Sequence, residues 1–463
     1  MAASPTPRPS SRKSPLLLRA RLVVPVSQPP IRDGVVLVAG RRIAAVGRWR
    51  ALSRRGAGPT LDLGDALLMP GLVNAHCHLD YTDMAGQLLA PKVFTDWLKV
   101  ITVTKAGWSY SDYAQSWLRG AHMLARTGTT TVADIEALPE LLPEVWEATP
   151  LRVFSFLEMI AIKPQRRASS VLQEALDRID TLRAARGHAG LSPHAPYTTL
   201  PELLCLSAAA ARRRKLRMTI HLAESALEFE MFARGRGEMF DWLKRSGRDM
   251  SDCGLGSPVR HLERCGVLGR HLLVIHANYL GRGDAGLLGQ RGVHVVHCPR
   301  SHCYFRHGAF PLRRLLRAGV NVCLGTDSLA SVHTTRRHTP VLSLFEEMRA
   351  LAHAHPWLSS RRIVRLVTLN GARALGLEGR IGELSENAFA DLIALPFAGK
   401  PAEAYGAILH HAGAVAASMI DGYWVVPPAG LIGNRGGDDS SPSSRKRTAP
   451  HGDEPSPPRD ERA

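Results

Sequence analysis

The sequence has no apolar run long enough to span a bilayer, no Cys-x-x-Cys pair and few aromatic residues. A membrane-crossing helix needs about 20 apolar residues in succession. The most apolar early segment, LLLRARLVVPV, is broken by arginines and carries no small-residue cleavage pattern. The expected setting is the cytoplasm, with no membrane partner. The seven cysteines, Cys77, Cys205, Cys253, Cys265, Cys298, Cys303 and Cys323, are odd in number and scattered. That pattern suits neither a disulfide framework nor a zinc knuckle, so reduced thiols are expected. With aromatic residues at 6%, there is no interleaved platform on which bases could stack. The net charge of +18 is mostly arginine spread along the chain, as in RRAS, ARRRKLR and RRLLR. Solvated helix faces account for such a distribution, and no specific nucleic-acid partner is expected.

What is present is a succession of buried-strand patterns. The runs GLVNAH, TTTVADI, LRVFSFLEM, AGLSPH, RMTIHLA, LLVIHA, VHVVHC and NVCLGTD are short and apolar. Helical spacings such as LPELLCLSAAAARRRKL separate them. Eight such β-then-α units predict an α/β fold, a (β/α)8 TIM barrel over residues 70–380. Strand-like segments at 15–69 and 381–427 predict a small β-sandwich built from both chain ends. Residues 1–14 and 428–463, rich in Pro, Ser, Gly and charge, are expected to be disordered. An RKR in the tail reads as part of that solvated segment rather than as a targeting signal.

In a (β/α)8 barrel the chemistry sits at the C-terminal ends of the strands. Polar residues interrupt the apolar runs at those ends. MPGLVNAHCHLD places His76 and His78 on one face of the first strand, because side chains alternate along a strand. His194 ends the fourth, His221 and Glu224 the fifth, His276 the sixth and Asp327 the eighth. Three imidazoles and a carboxylate, His76, His78, His221 and Asp327, suit one divalent metal, zinc or else iron, with room for water. Such a metal would make water nucleophilic near neutral pH. Asp327 is placed to take that water's proton, and Glu224 to carry a proton to the ring under attack and its leaving group. His276 is expected to orient the water or polarise the reacting carbon. For His276 and His194 a satisfied buried histidine remains the alternative.

Together, PGLVNAHCH, GTTTVAD, IHLAES, VVHCPRSH and GTDS resemble the amidohydrolase superfamily. The closest likeness is to the branch of cytosine deaminase-like, S-adenosylhomocysteine deaminase-like and triazine hydrolase enzymes. The resemblance covers residues 16–426. It implies one metal held by the four residues named, Glu224 as proton shuttle and His276 beside the reacting centre. Two positions depart from the pattern: His302 stands where relatives often have Asn, and Asn387–Ala388 stands where a Gly is usual. Binuclear members bridge two metals with a carboxylated lysine on strand four. This chain has no lysine between Lys163 and Lys215, which favours a single metal.

The reaction expected is hydrolytic deamination of a purine, pyrimidine or nucleoside such as aminofutalosine or S-adenosylhomocysteine. The alternatives are hydrolysis of an amide, cyclic amide or carbon–halogen bond, and, more remotely, an inactive barrel that binds. Candidate substrate contacts are His194, Trp97, Arg300 and His302. Asp80, Tyr81, Asp83 and Phe94 are material for a lid or a packed loop, and Glu136 and Glu158 could meet a sugar hydroxyl. The partner expected is a small heterocycle, with a homodimer left open.

Overall fold

The computed structural model describes residues 14–55, 58–163, 166–184, 186–334 and 339–432. The tails expected to be disordered lie outside these, apart from Ser14 and residues 428–432, of which Ala429–Ile432 form a short helix. The chain opens with β1 (Leu16–Val23), β2 (Ile31–Ala39), β3 (Arg42–Arg48), β4 (Thr60–Asp62) and β5 (Ala66–Pro70). The eight strands that follow are β6 (Leu72–Cys77), β7 (Thr129–Glu136), β8 (Arg152–Met159) and β9 (Gly187–Pro193), then β10 (Met218–Leu222), β11 (Leu272–His276), β12 (His294–His297) and β13 (Asn321–Leu324). These pair in chain order, all parallel. Each falls on one of the eight apolar runs. Strands walled in on both faces have no polar side to display, so β6, β7, β10, β11 and β12 are buried at every residue.

The barrel closes between β13 and β6, at the residues expected to carry chemistry. A bridge joins Cys77 to Asp327, and the Thr326 amide donates to the His76 carbonyl at 2.9 Å. Only glycine fits at 325: a Cβ there would lie 2.6 Å from the His76 carbonyl oxygen. The interior is packed with Val73, Ile135, Phe154, Phe156, Ile275 and Val296, against Ala372 and Leu375 of the helix Leu369–Leu375. It is a core and not a channel.

The second sheet draws on both chain ends, as expected. After the barrel come β14 (Leu392–Pro396), β15 (Ala417–Ile420) and β16 (Tyr423–Val426). The strand order is β16-β15-β14-β5-β1-β2-β3, with β4 added beside β1. The N-terminal and C-terminal strands meet where β5 runs antiparallel to β14, Pro70 opposite Leu392. The two arms share one core, in which Leu18, Val36 and Ile43 contact the cluster of Leu392, Ala394 and Met419. Arg152 at the start of β8 ties this sheet to the barrel, pairing with Asp391 at 3.2 Å and Asp421 at 3.0 Å.

Candidate active site at the barrel rim

The rim is held in a conformation that side chains rarely choose. Ala223, His276, Ala277 and Asp327 all have positive φ, at 50°, 72°, 50° and 54°. Non-glycine residues in this region carry strain that the surrounding structure must hold. Two clamps are visible. The Glu228 carboxylate accepts the amides of Ala223 at 2.8 Å and Glu224 at 2.9 Å, and Asn278 donates to the Glu224 carbonyl at 3.0 Å. The turn that carries Glu224 is thus fixed from the helix Ala226–Arg234 that follows it and from the loop after β11.

Six side chains converge here. His76 and His78 lie 3.6 and 3.8 Å from Asp327 Oδ1, and the Nε2 atoms of His78 and His221 are 3.4 Å apart. His221 Nδ1 faces the His194 carbonyl at 3.0 Å, so that nitrogen carries the proton and Nε2 presents a lone pair to the cluster. His276 Nε2 stands 3.6 Å from Glu224 Oε1. Both ring nitrogens of His76 are buried without a hydrogen-bond partner.

Burial sets the protonation states. It depresses His221 and His194 to about 3, helped at His221 by neighbouring imidazoles and at His194 by the Lys105 charge and then His76, and holds His78 and His276 well below the usual histidine range. For Asp327, burial alone would raise the carboxyl; the imidazoles of His76, His276 and His78 around it outweigh that and hold Asp327 well below its usual range. Glu224 goes the other way, pushed well up by burial and by the charges of Asp327 and Glu228. The result is neutral imidazoles at His78, His194, His221 and His276, an ionised Asp327 and a protonated Glu224. The donors of His76, His78 and Asp327 lie within 4.8 Å of one another. Partnerless nitrogens and a carboxylate facing one point fit a divalent cation.

The cluster opens into a cavity of about 330 Å³ lined by His78, His194, His221, Glu224, His276 and Asp327 on one side. Tyr81, Trp97, Ile101, Ile160, Trp242 and Phe305 complete the lining with aromatic and aliphatic surface. Its size suits a small heterocyclic ligand. Trp97 and His194 line it, His194 with Nδ1 against Thr198 Oγ1 at 2.7 Å. Glu158 also lines it, 3.9 Å from His194 Nε2.

Two expected substrate contacts are placed elsewhere. Arg300 does not line the cavity: its guanidinium is spent on Glu346, Glu347 and the Val341 carbonyl. His302 turns its Nδ1 to Asn278 Oδ1 at 3.0 Å, so it backs the residue that holds Glu224 rather than meeting a ligand. Glu136 accepts the Leu138 amide and stays behind the wall, and Asp83 pairs with Arg119. Sequence reasoning missed Ile101 and Lys105, both of which line the cavity. The signal was present: Trp97, Ile101 and Lys105 repeat every fourth residue along the helix Phe94–Ala106, which puts them on one stripe.

A family model described as the amidohydrolase family matches residues 67–425. The chain is 34% identical over 385 residues to a 5-methylthioadenosine/S-adenosylhomocysteine deaminase of Syntrophobacter fumaroxidans, covering 79% of this chain and 80% of that one. It is 30% identical over 377 residues to a 5'-deoxyadenosine deaminase of Methanothermobacter thermautotrophicus, covering 79% and 81%. Among solved structures, a zinc-bound adenosine deaminase from Xanthomonas campestris aligns with a TM-score of 0.76 at 26% identity, over 90% of this chain and 96% of that one.

Proposed function

We propose, for a chain that belongs to the amidohydrolase family, that the rim site is that of an enzyme hydrolysing a carbon–nitrogen bond, a deaminase of adenine-type nucleosides. The observation that carries the reading is the convergence of His76, His78, His221 and Asp327 on one point of the cavity, with Glu224 3.6 Å from His276 beside them. His76, His78, His221 and Asp327 are the residues to hold one divalent metal, and we take zinc as that metal. When bound, such an ion supplies the Lewis acidity that makes water a nucleophile near neutral pH.

The chain's own groups then handle the protons. Glu224 gives its carboxyl proton to the ring nitrogen beside the carbon under attack. Asp327 Oδ1 takes a proton from the attacking water and passes it to the exocyclic amine, which leaves as ammonia while the hydroxyl proton remaining on the attacked carbon returns to Glu224. Water adds and ammonia departs, so the ring stays closed and gains a carbonyl. His276, 3.6 Å from Glu224, orients the reacting groups. Trp97 offers an aromatic face to the heterocycle, with His194 and Glu158 beside it. Hydrolysis of an amide or carbon–halogen bond is not the activity named for the relatives cited at 30% identity or more. Free cysteines throughout, and no helix among the described residues long and apolar enough to cross a membrane, support a cytoplasmic site of action.

The test is an ammonia-release screen on metal-analysed protein, with 5'-methylthioadenosine, 5'-deoxyadenosine, S-adenosylhomocysteine, guanine and cytosine. Glu224→Gln serves as the blank. Ammonia from an adenine nucleoside with wild type, and none with the variant, is expected. One metal per chain and no ammonia from any compound overturns the reading.

A further inference from the structure

We infer that the cavity is shaped for a substrate carrying an anionic group on the arm remote from the reacting amine, and that Lys105 selects it. The inference rests on the deaminase reading above and names the substrate class within it.

Lys105 lines the cavity from the last turn of the helix Phe94–Ala106. Its ammonium stands 4.7 Å from the centre of the Tyr81 ring, and that ring stacks on His78 at 5.2 Å. The cation therefore lies a ring's depth away from the metal-ligand cluster, where the far end of a bound nucleoside would reach. No carboxylate among the described residues comes within ion-pairing distance of it. Other basic residues nearby are neutralised: Lys99 on the same helix pairs with Asp96 at 2.9 Å, and Arg300 pairs with two glutamates. The carboxylates that line the cavity with it, Glu158, Glu224 and Asp327, form no ion pair with Lys105. A half-buried ammonium beside an apolar wall has lost part of its hydration, and an incoming carboxylate or phosphate restores a charge-assisted hydrogen bond. A neutral arm would leave it with the Tyr81 ring as its partner.

The competing account is that Lys105 serves the buried acid Asp80 as a distant counter-charge. That role would be blind to the substrate's charge, so the two separate in one experiment. The metal-loaded enzyme and its Lys105→Met and Lys105→Arg variants are assayed by ammonia release. The substrates are 5'-methylthioadenosine, with a neutral arm, S-adenosylhomocysteine, with a carboxylate, and adenosine 5'-monophosphate, with a phosphate. Lys105→Met is expected to lower kcat/KM at least tenfold for one anionic substrate, mainly through KM, while 5'-methylthioadenosine changes less than twofold. Lys105→Arg restores most of the loss, and added salt narrows the wild-type preference. Which anionic substrate responds tells carboxylate from phosphate. An equal loss on all three, no loss on any, or a wild type that prefers the neutral nucleoside overturns the inference. Wild type releasing ammonia from none of them overturns the deaminase reading, and the inference with it.

Discussion

The Glu228 carboxylate holds the backbone of Glu224 by accepting its amide at 2.9 Å, so one buried acid fixes the position of another. Because the same carboxylate takes the Ala223 amide, both donors of a strained turn depend on it. In Glu228→Gln the single carbonyl oxygen can serve only one of them, and the new NH2 faces the other donor. Leaving one buried amide unpaired costs about 1–3 kcal/mol. The expected variant binds metal, unfolds at lower urea, and loses kcat by about tenfold, the fold-change equivalent of roughly 1.4 kcal/mol, with KM little altered. Wild-type kcat together with wild-type stability would show that the clamp has no role.

Glu228 also gives a pH signature. Burial pushes its carboxyl up to about 7, against the downward pull of the Ala223 and Glu224 amides. In the unfolded chain it titrates near ~4.3. Between those values the folded state holds a proton that the unfolded state has released. Its contribution is therefore full below the unfolded value and is lost as pH rises through 7. The stability gap between wild type and Glu228→Gln should shrink from pH 5 to pH 8 in urea titrations. A gap that widens with pH contradicts the assignment.

Arg152 bridges two buried carboxylates from a position that is itself buried, over the Phe389 ring at 3.9 Å. Arg152→Met removes the charge and keeps much of the volume. Breaking a buried pair by removing one partner costs about 3–5 kcal/mol. Asp421 retains Arg41, so Asp391 bears most of the loss. Metal per folded chain should stay at the wild-type value while the denaturation midpoint falls sharply. A cost below about 1 kcal/mol, the scale of an exposed pair, sinks the idea that this network locks sheet to barrel.

Metal and fold should be linked through His221. A ligand at a thousand times its Kd stabilises by about 4 kcal/mol. Chelated wild type is expected to melt earlier and to recover with added zinc. His221→Ala should retain little metal and show no zinc-dependent rise in Tm. A full zinc response in that variant would remove His221 from the ligand set.

The barrel was readable because strands buried on both faces leave continuous apolar runs, and polar residues at their ends interrupt a pattern that nothing structural explains. His76, His78, His221, Glu224, His276 and Asp327 each stood at such an interruption, and the structure brings them to one rim. Arg300 and His302 also lay next to a strand end, but their surroundings come from elsewhere in the chain. Glu346 and Glu347 reach Arg300 from the helix Leu344–Ala354, and Asn278 meets His302 from the loop after β11. Which charges meet across such distances is a tertiary matter that local patterns do not encode. Lys105 escaped for a related reason: the stripe it shares with Trp97 and Ile101 shows a common face but not what that face looks upon.

The pairing of Pro70 with Leu392 sets a timetable for synthesis. Strands β1, β2, β3 and β5 leave the ribosome early, yet the edge of β5 that β14 covers stays bare while the entire barrel is being made. An uncovered apolar strand edge is a template for pairing with other chains. Folding of this enzyme is thus completed only by its last strands, and a nascent chain stalled before β14 presents an open edge for chaperones to shield.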